Sequence, residues 1–151
     1  LAQQINKDYE GKNPLFLGIL NGSFLFAADL FRLIEGNAEI SFLKMASYQG
    51  TATTGKINEL IGINEDITNR HVIIIEDIVD TGITLEKIIS DLQTKQPASI
   101  AIATLLFKPA AYQKSIPVNY IGMKVANDFL VGYGLDYDGL GRNLKEIYKL
   151  K

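Results

Sequence analysis

Glu76, Asp77 and Asp80 place three carboxylates within five residues, and Thr81-Gly82-Ile83-Thr84 follows at once. Ionised carboxylates only accept hydrogen bonds, so an adjacent pair suits sugar hydroxyls or a hard cation. A small polar turn that opens a helix suits the opposite partner. Its backbone N–H groups and two hydroxyls can wrap a phosphate, and Gly82 lets the backbone come close. Acids beside a phosphate repel it unless the ligand also carries hydroxyls and a cation such as Mg2+. The bland reading of the same string is an Asp80 helix cap with Glu76 and Asp77 solvated at a strand end.

Composition narrows the chemistry further. The 151 residues contain no cysteine and one histidine, His71. That excludes a disulfide framework, a thiolate nucleophile, a zinc finger and a His-rich relay. Acid–base work falls on carboxylates, Lys or Tyr. Fifteen Lys+Arg against seventeen Asp+Glu give a net charge of −2, and the pI is about 5.4. This balance argues against a nucleic-acid footprint but leaves room for a local basic site. No apolar stretch approaches the ~20 residues of a membrane span, and no leader pattern is present. A cytoplasmic chain of one domain, residues 1–151, is expected.

The elements that must carry these residues are strands alternating with helices. Leu15–Leu20 and Val72-Ile73-Ile74-Ile75 are continuous apolar runs, the mark of strands buried on both faces. Phe24, Ala27, Ala28, Phe31 and Ile34 recur at helical spacing, as do Leu85, Ile88, Ile89 and Leu92, with the second helix stopped before Pro97. Residues 39–48 read as extended and 57–63 as a weaker strand. Ser99–Phe107, 118–123 and 129–131 read as further strands. This order predicts an α/β fold: a mostly parallel twisted sheet flanked by helices. Ligands of such sheets sit outside the carboxyl ends of the strands.

Three signals point nowhere. Residues 50–57 have the spacing of a P-loop, but Ile57 replaces its Ser/Thr and a strand, not a helix, is expected to follow. Gly132-Tyr133-Gly134 begins a dinucleotide fingerprint that Tyr137 breaks. His71, just before a buried strand, reads as a strand-edge residue with an ordinary hydrogen bond.

The whole string from the apolar strand through Glu76, Asp77, Asp80, Thr81, Gly82 and Thr84 resembles the phosphoribosyl-pyrophosphate signature of type I phosphoribosyltransferases. Four further segments, in order, resemble hypoxanthine-guanine members of that family. They are residues 17–24 with Ala28-Asp29-Leu30, then Ser47-Tyr48 with the Gly/Thr-rich stretch, then Lys108 after its strand, and then Tyr120-Ile121-Gly122 through residues 129–137 to Arg142-Asn143-Leu144. The resemblance covers nearly the whole chain. It implies the type I fold with a small hood for the purine, formed by the N-terminal segment and about 118–151.

The resemblance also implies roles. The reaction would be Mg2+-dependent purine salvage, moving 5-phosphoribosyl from phosphoribosyl pyrophosphate to N9 of hypoxanthine or guanine. Asp80, Thr81, Gly82, Ile83 and Thr84 would hold the 5′-phosphate, Glu76 and Asp77 the ribose hydroxyls. Asp80 would be the catalytic acid–base group at the purine. Asn21, Gly22 and Arg142 would meet pyrophosphate, with the Asn21–Gly22 peptide open to a cis geometry. Lys108 would donate to the purine O6, Tyr120 would stack, Ile121 would present backbone groups and Asn127 would face the base edge. Glu76, Asp77 and Asn127 would serve Mg2+, mostly through substrate or water. Ser47 and Tyr48 would begin a closing lid. Relatives often carry Lys at position 21 and Asp at position 127, so two charges are missing here, and Asp128 stands next to the second. Substrates would be phosphoribosyl pyrophosphate and a 6-oxopurine, with no nucleic acid or membrane partner, in a dimer or tetramer of identical chains. The alternatives are a xanthine-preferring enzyme and a nucleotide-sensing regulator of the same fold.

Overall fold

The computed structural model describes residues 1–47 and 57–150. In chain order the elements are α1 (Ala2–Asp8), β1 (Leu15–Leu20), α2 (Phe24–Phe31), β2 (Glu39–Ser47), β3 (Ile57–Ile61), β4 (His71–Val79), α3 (Ile83–Gln93), β5 (Ser99–Phe107), β6 (Tyr120–Lys124), β7 (Leu130–Val131) and β8 (Tyr148–Lys149). Six strands form one sheet in the order β3-β2-β1-β4-β5-β6, and β7 pairs with β8 in a second. Every pairing in the large sheet is parallel except β2 with β3. The expected mostly parallel α/β sheet is present.

Alternation along the central strands explains why both faces are covered. Leu15, Leu17, Ile19, Val72 and Ile74 pack on one side with Leu85, Ile88, Ile89 and Leu92 of α3. Phe16, Ile73 and Ile75 pack on the other with Ile5 of α1 and Phe26, Ala27 and Leu30 of α2. Strands sandwiched in this way must be apolar at every position, which is how their runs read. Gly18 interrupts β1 because its neighbour needs the room: a Cβ there would stand 2.7 Å from the Phe42 ring. Strand β3 follows the near-P-loop directly, so a strand stands where Walker chemistry needs a helix.

Helix α1 and strand β8 were not legible in the sequence. Both are short, and α1 buries a single side chain, Ile5, so neither shows a sustained period. His71 behaves as its position predicts: Nδ1 is 2.7 Å from Ser99 Oγ, and the ring sits edge-on to Tyr9.

Candidate functional site

Strands β1, β4 and β5 bring their carboxyl ends to one edge of the sheet. A cavity of about 250 Å3 opens there, lined by Leu20 at the end of β1, Gly22 just after it, and residues 76–85 from the end of β4 through the turn into α3. The carboxylate string and the pyrophosphate loop predicted from the sequence thus meet at one place. A larger cavity, about 810 Å3, lies by the amino ends of β1 and β2 against α1. It contains none of the candidate residues.

The turn is shaped by Gly82, which caps α3 at φ 83°, a left-handed conformation open to glycine. Glycine is required twice over, because a side chain would run into the Tyr112 ring and Lys114. The first N–H groups of α3 lie just beyond it, in the arrangement that receives a phosphate. Asp80 is not the helix cap. Its Oδ2 accepts a hydrogen bond from Lys108 Nζ at 3.1 Å. Lys108 is held by its own backbone as well, its N–H donating to the Val79 carbonyl at 3.0 Å. The acid–base candidate and the purine-O6 candidate are therefore an ion pair. Lys108 is buried and Asp80 is half exposed.

Glu76 and Asp77 lie in the last part of β4, the latter two residues before its end. Burial, and after it the charge of Asp77, hold the Glu76 carboxyl well above the usual carboxylate range. Burial also pushes Asp77 up, opposed by hydrogen bonds from N–H groups including that of Ile78, and then by the Arg142 charge. Two adjacent carboxylates in a cleft, both resisting ionisation, form a site that a cation or hydroxyl donors would relieve. The oxygens are hard donors of the type Mg2+ takes. Among the described residues no group of three or more metal-ligating side chains occurs. An open pair fits Mg2+, which keeps waters and substrate oxygens, better than a closed cage would.

The loop after β1, the candidate for pyrophosphate, leans directly on Asp77. A Cβ at Gly22 would run into the Asp77 carboxylate, and a Cβ at Gly134 would run into the Gly22 carbonyl. The cis peptide lies between Leu20 and Asn21, one bond earlier than the Asn21–Gly22 peptide suggested by the resemblance. Arg142 reaches the same place. Its Nη1 donates to the Gly134 carbonyl and its Nη2 pairs with Asp136 Oδ1, both at 2.6 Å.

The purine candidates are less tightly gathered. Ile121 pairs with Thr104 across β5 and β6 and is half-buried. Tyr120 departs from expectation. Its side chain is 5% exposed within the core beneath α1, and its hydroxyl donates to Asp8 at 2.8 Å. Burial, and then Asp8, raise its pKa. The ring presents no open face for stacking, because the amino-terminal helix covers it. Asn127 is exposed, while Asp128 pairs with Lys149 at 2.8 Å across the small sheet. The carboxylate one residue on is thereby engaged, leaving Asn127 as the available polar group. Ser47 closes β2, and Tyr48 with the rest of the expected lid lies outside the described residues.

Sequence reasoning missed Tyr112, Gly134 and Asp136. The last two lie in residues 129–137, a stretch that carries the family resemblance and a failed dinucleotide fingerprint but to which the sequence reading gave no individual roles.

The chain is similar to known proteins along its whole length. Residues 1–138 match the model of the phosphoribosyl transferase domain. The chain is 44% identical over its full length to a hypoxanthine-guanine phosphoribosyltransferase of Streptococcus pneumoniae, covering 84% of that protein. It is 43% identical to one of Staphylococcus aureus, covering 85%. A crystal structure of a hypoxanthine phosphoribosyltransferase from Staphylococcus aureus superposes with a TM-score of 0.92 at 42% identity, over 99% of this chain and 82% of that one. A hypoxanthine-guanine phosphoribosyltransferase from Bacillus anthracis, crystallised with a HEPES molecule in its active site, gives 0.92 at 38% identity, over 99% and 89%.

Proposed function

The chain belongs to the phosphoribosyltransferase family, and from that premise we propose that it salvages 6-oxopurines. It moves 5-phosphoribosyl from phosphoribosyl pyrophosphate to N9 of hypoxanthine or guanine, giving IMP or GMP and pyrophosphate. The observation that carries this is the 3.1 Å pair of Asp80 with Lys108 at the mouth of the β4–α3 turn. It joins a proton acceptor to a donor suited to a 6-oxo group, beside a phosphate-shaped backbone.

In this reading residues 80–84 bind the 5′-phosphate through N–H groups and hydroxyls, with Gly82 allowing close approach. Glu76 and Asp77 accept from the ribose hydroxyls. Lys108 donates to O6, which adenine lacks, so adenine offers this buried ammonium no acceptor beyond Asp80. The C1′–pyrophosphate bond breaks, the N9–C1′ bond forms, and Asp80 takes the proton that the purine gives up. Arg142 and the Asn21–Gly22 peptide meet the leaving pyrophosphate. Glu76 and Asp77 would hold Mg2+ together with substrate oxygens and water, and Mg2+ would supply positive charge to the pyrophosphate. Asn127 would face the base edge, and Ile121 would offer backbone groups. Ser47 and Tyr48 would begin the lid that excludes water.

We also infer that the N-terminal segment and residues from about 118 onward cooperate as the purine hood of a single domain. The Tyr120–Asp8 hydrogen bond supports that grouping. Exposed apolar side chains at Phe129, Leu140 and Tyr148 favour assembly with further copies of the chain. No described helix is long and apolar enough to cross a membrane, and a cytoplasmic setting is proposed with the activity.

The test is an assay with phosphoribosyl pyrophosphate, Mg2+ and each of hypoxanthine, guanine, xanthine and adenine. Nucleotide from hypoxanthine or guanine is expected. Product from xanthine in preference would reassign the base, and none from any 6-oxopurine would end the proposal.

A further inference from the structure

We propose that Tyr112 is a positioning residue for the turn at residues 80–84, holding it in the shape that receives a 5′-phosphate. This rests on the reading of that turn as the 5′-phosphate site.

The segment after β5 straps the turn from outside the cavity. The Lys108 N–H donates to the Val79 carbonyl at 3.0 Å, and the Gln113 N–H donates to the Thr81 carbonyl at 3.2 Å. Between these two bonds the Tyr112 ring packs on Gly82, where an added Cβ would stand 2.5 Å from Tyr112 Cε2. The ring is fixed in its turn. Its hydroxyl donates to the Ile116 carbonyl at 2.7 Å, it meets Phe107 edge-on with centroids 5.2 Å apart, and it packs against the core that includes Leu85 and Ile88 of α3. Lys114 also flanks Gly82, and its Nζ is pinned to Glu86 of α3 at 2.6 Å. Residues 112–114 do not line the cavity. Tyr112 therefore acts on the turn and not on a ligand.

Gly82, at φ 83°, is the least constrained residue of the turn, and glycine loses more backbone freedom on ordering than any other residue. If a ligand had to order it, that cost would come out of the affinity for the phosphate. The Tyr112 ring fills the space on the open side of the glycine, and the Gln113 bond fixes the carbonyl one residue earlier. The N–H groups that open α3 are thereby aimed before a phosphate arrives. The strap also joins two parts of the site. It begins at Lys108, and the Tyr112 N–H donates to the Lys108 carbonyl at 3.2 Å. The candidate purine donor and the support of the phosphate turn thus belong to one hydrogen-bonded turn.

The experiment measures KM for phosphoribosyl pyrophosphate and for hypoxanthine, with kcat and thermal midpoint, in Tyr112→Ala, Tyr112→Leu and Tyr112→Phe. Tyr112→Ala is expected to raise KM for phosphoribosyl pyrophosphate about tenfold, the scale of ordering one residue's backbone. KM for hypoxanthine should stay within about twofold, because Lys108 keeps its bonds to Val79 and Asp80. Tyr112→Leu should fall between. Tyr112→Phe keeps the ring and loses one neutral hydrogen bond, so it should hold KM within about threefold of the parent. Ile89→Val, which thins the core beneath the same helix, is the control. It should lower the thermal midpoint and leave both KM values unchanged. Equal changes in both KM values of Tyr112→Ala, or none, would overturn the proposal, as would the same split in Ile89→Val. If Tyr112→Ala does not fold, Tyr112→Leu decides alone. Calorimetric titration with IMP separates this proposal from the salvage reading. A wild-type chain that binds IMP without turnover defeats the salvage proposal only, and unweakened IMP binding by Tyr112→Ala and Tyr112→Leu defeats this one only.

Discussion

Lys108 Nζ lies 3.1 Å from Asp80 Oδ2, a contact that joins the end of β5 to the turn after β4. The pair is asymmetric, with the lysine buried and the carboxylate half open to the cleft. Asp80 is thereby presented to a ligand from a fixed base, with its position set by a cation whose own backbone is bonded to Val79. Asp80→Asn keeps the shape and removes the proton acceptor. Turnover should fall by roughly 10²-fold or more, the range of positioned acid–base groups. Lys108→Met should act mainly through the base, raising KM for hypoxanthine more than for phosphoribosyl pyrophosphate. Steady-state kinetics of the two variants check both statements, and undiminished turnover in Asp80→Asn would remove that residue from the chemistry.

Gly22→Ala should damage the leaving-group side. The added methyl meets the Asp77 carboxylate, which lies near the end of β4 and is held by the Ile78 N–H at 2.9 Å. Overpacking of this type costs about 1–3 kcal/mol. For a chain of this size that lowers the thermal midpoint by several degrees. KM for phosphoribosyl pyrophosphate should rise alongside it if, as proposed, the same backbone meets that ligand. Calorimetry and kinetics on one preparation suffice. A variant as stable and as active as the parent would mean the loop accommodates a side chain.

Most of the candidate site was legible because its residues cluster in sequence. Glu76, Asp77 and residues 80–84 occupy one strand end and one turn, and a buried strand followed by a glycine-opened helix can point them only one way. The Lys108–Asp80 pair could not be read from spacing, since its partners meet only when β4 and β5 register in parallel. Tyr120 failed for a related reason. Whether an aromatic at the start of an edge strand stacks on a ligand or fills the core depends on what covers it, and the cover, α1, was too short to show a period.

Glu76→Gln should trade function for stability. The Glu76 carboxyl is pushed up by burial and then by Asp77. It therefore holds a proton more readily in the folded protein than in the unfolded chain. Its contribution favours folding at low pH and is lost as the pH rises through its folded range. At pH 7 the charge is a liability that glutamine removes. The metal-free variant should melt about 2–4 °C higher than the parent at pH 7, the equivalent of about 1 kcal/mol, with the gap closing toward pH 4. KM for phosphoribosyl pyrophosphate should rise in the same protein. A variant less stable than the parent at pH 7 would show that the charge is already compensated within the fold.

Asn127→Asp should favour guanine. Guanine differs from hypoxanthine by a 2-amino donor, and a carboxylate accepts such a bond with roughly twice the strength of a neutral amide. Asn127 is exposed, whereas the neighbouring Asp128 is held by Lys149 at 2.8 Å. The native acid next door is therefore no substitute for the missing one. Asn127→Asp is expected to raise kcat/KM for guanine relative to hypoxanthine by about fivefold, on the order of 1 kcal/mol. Asp128→Asn should leave the ratio unchanged and lower the thermal midpoint slightly, as loss of a partly exposed ion pair does. The two variants exchange predictions if the base edge is read by residue 128. A guanine ratio that moves in Asp128→Asn and not in Asn127→Asp would therefore shift the assignment by one residue.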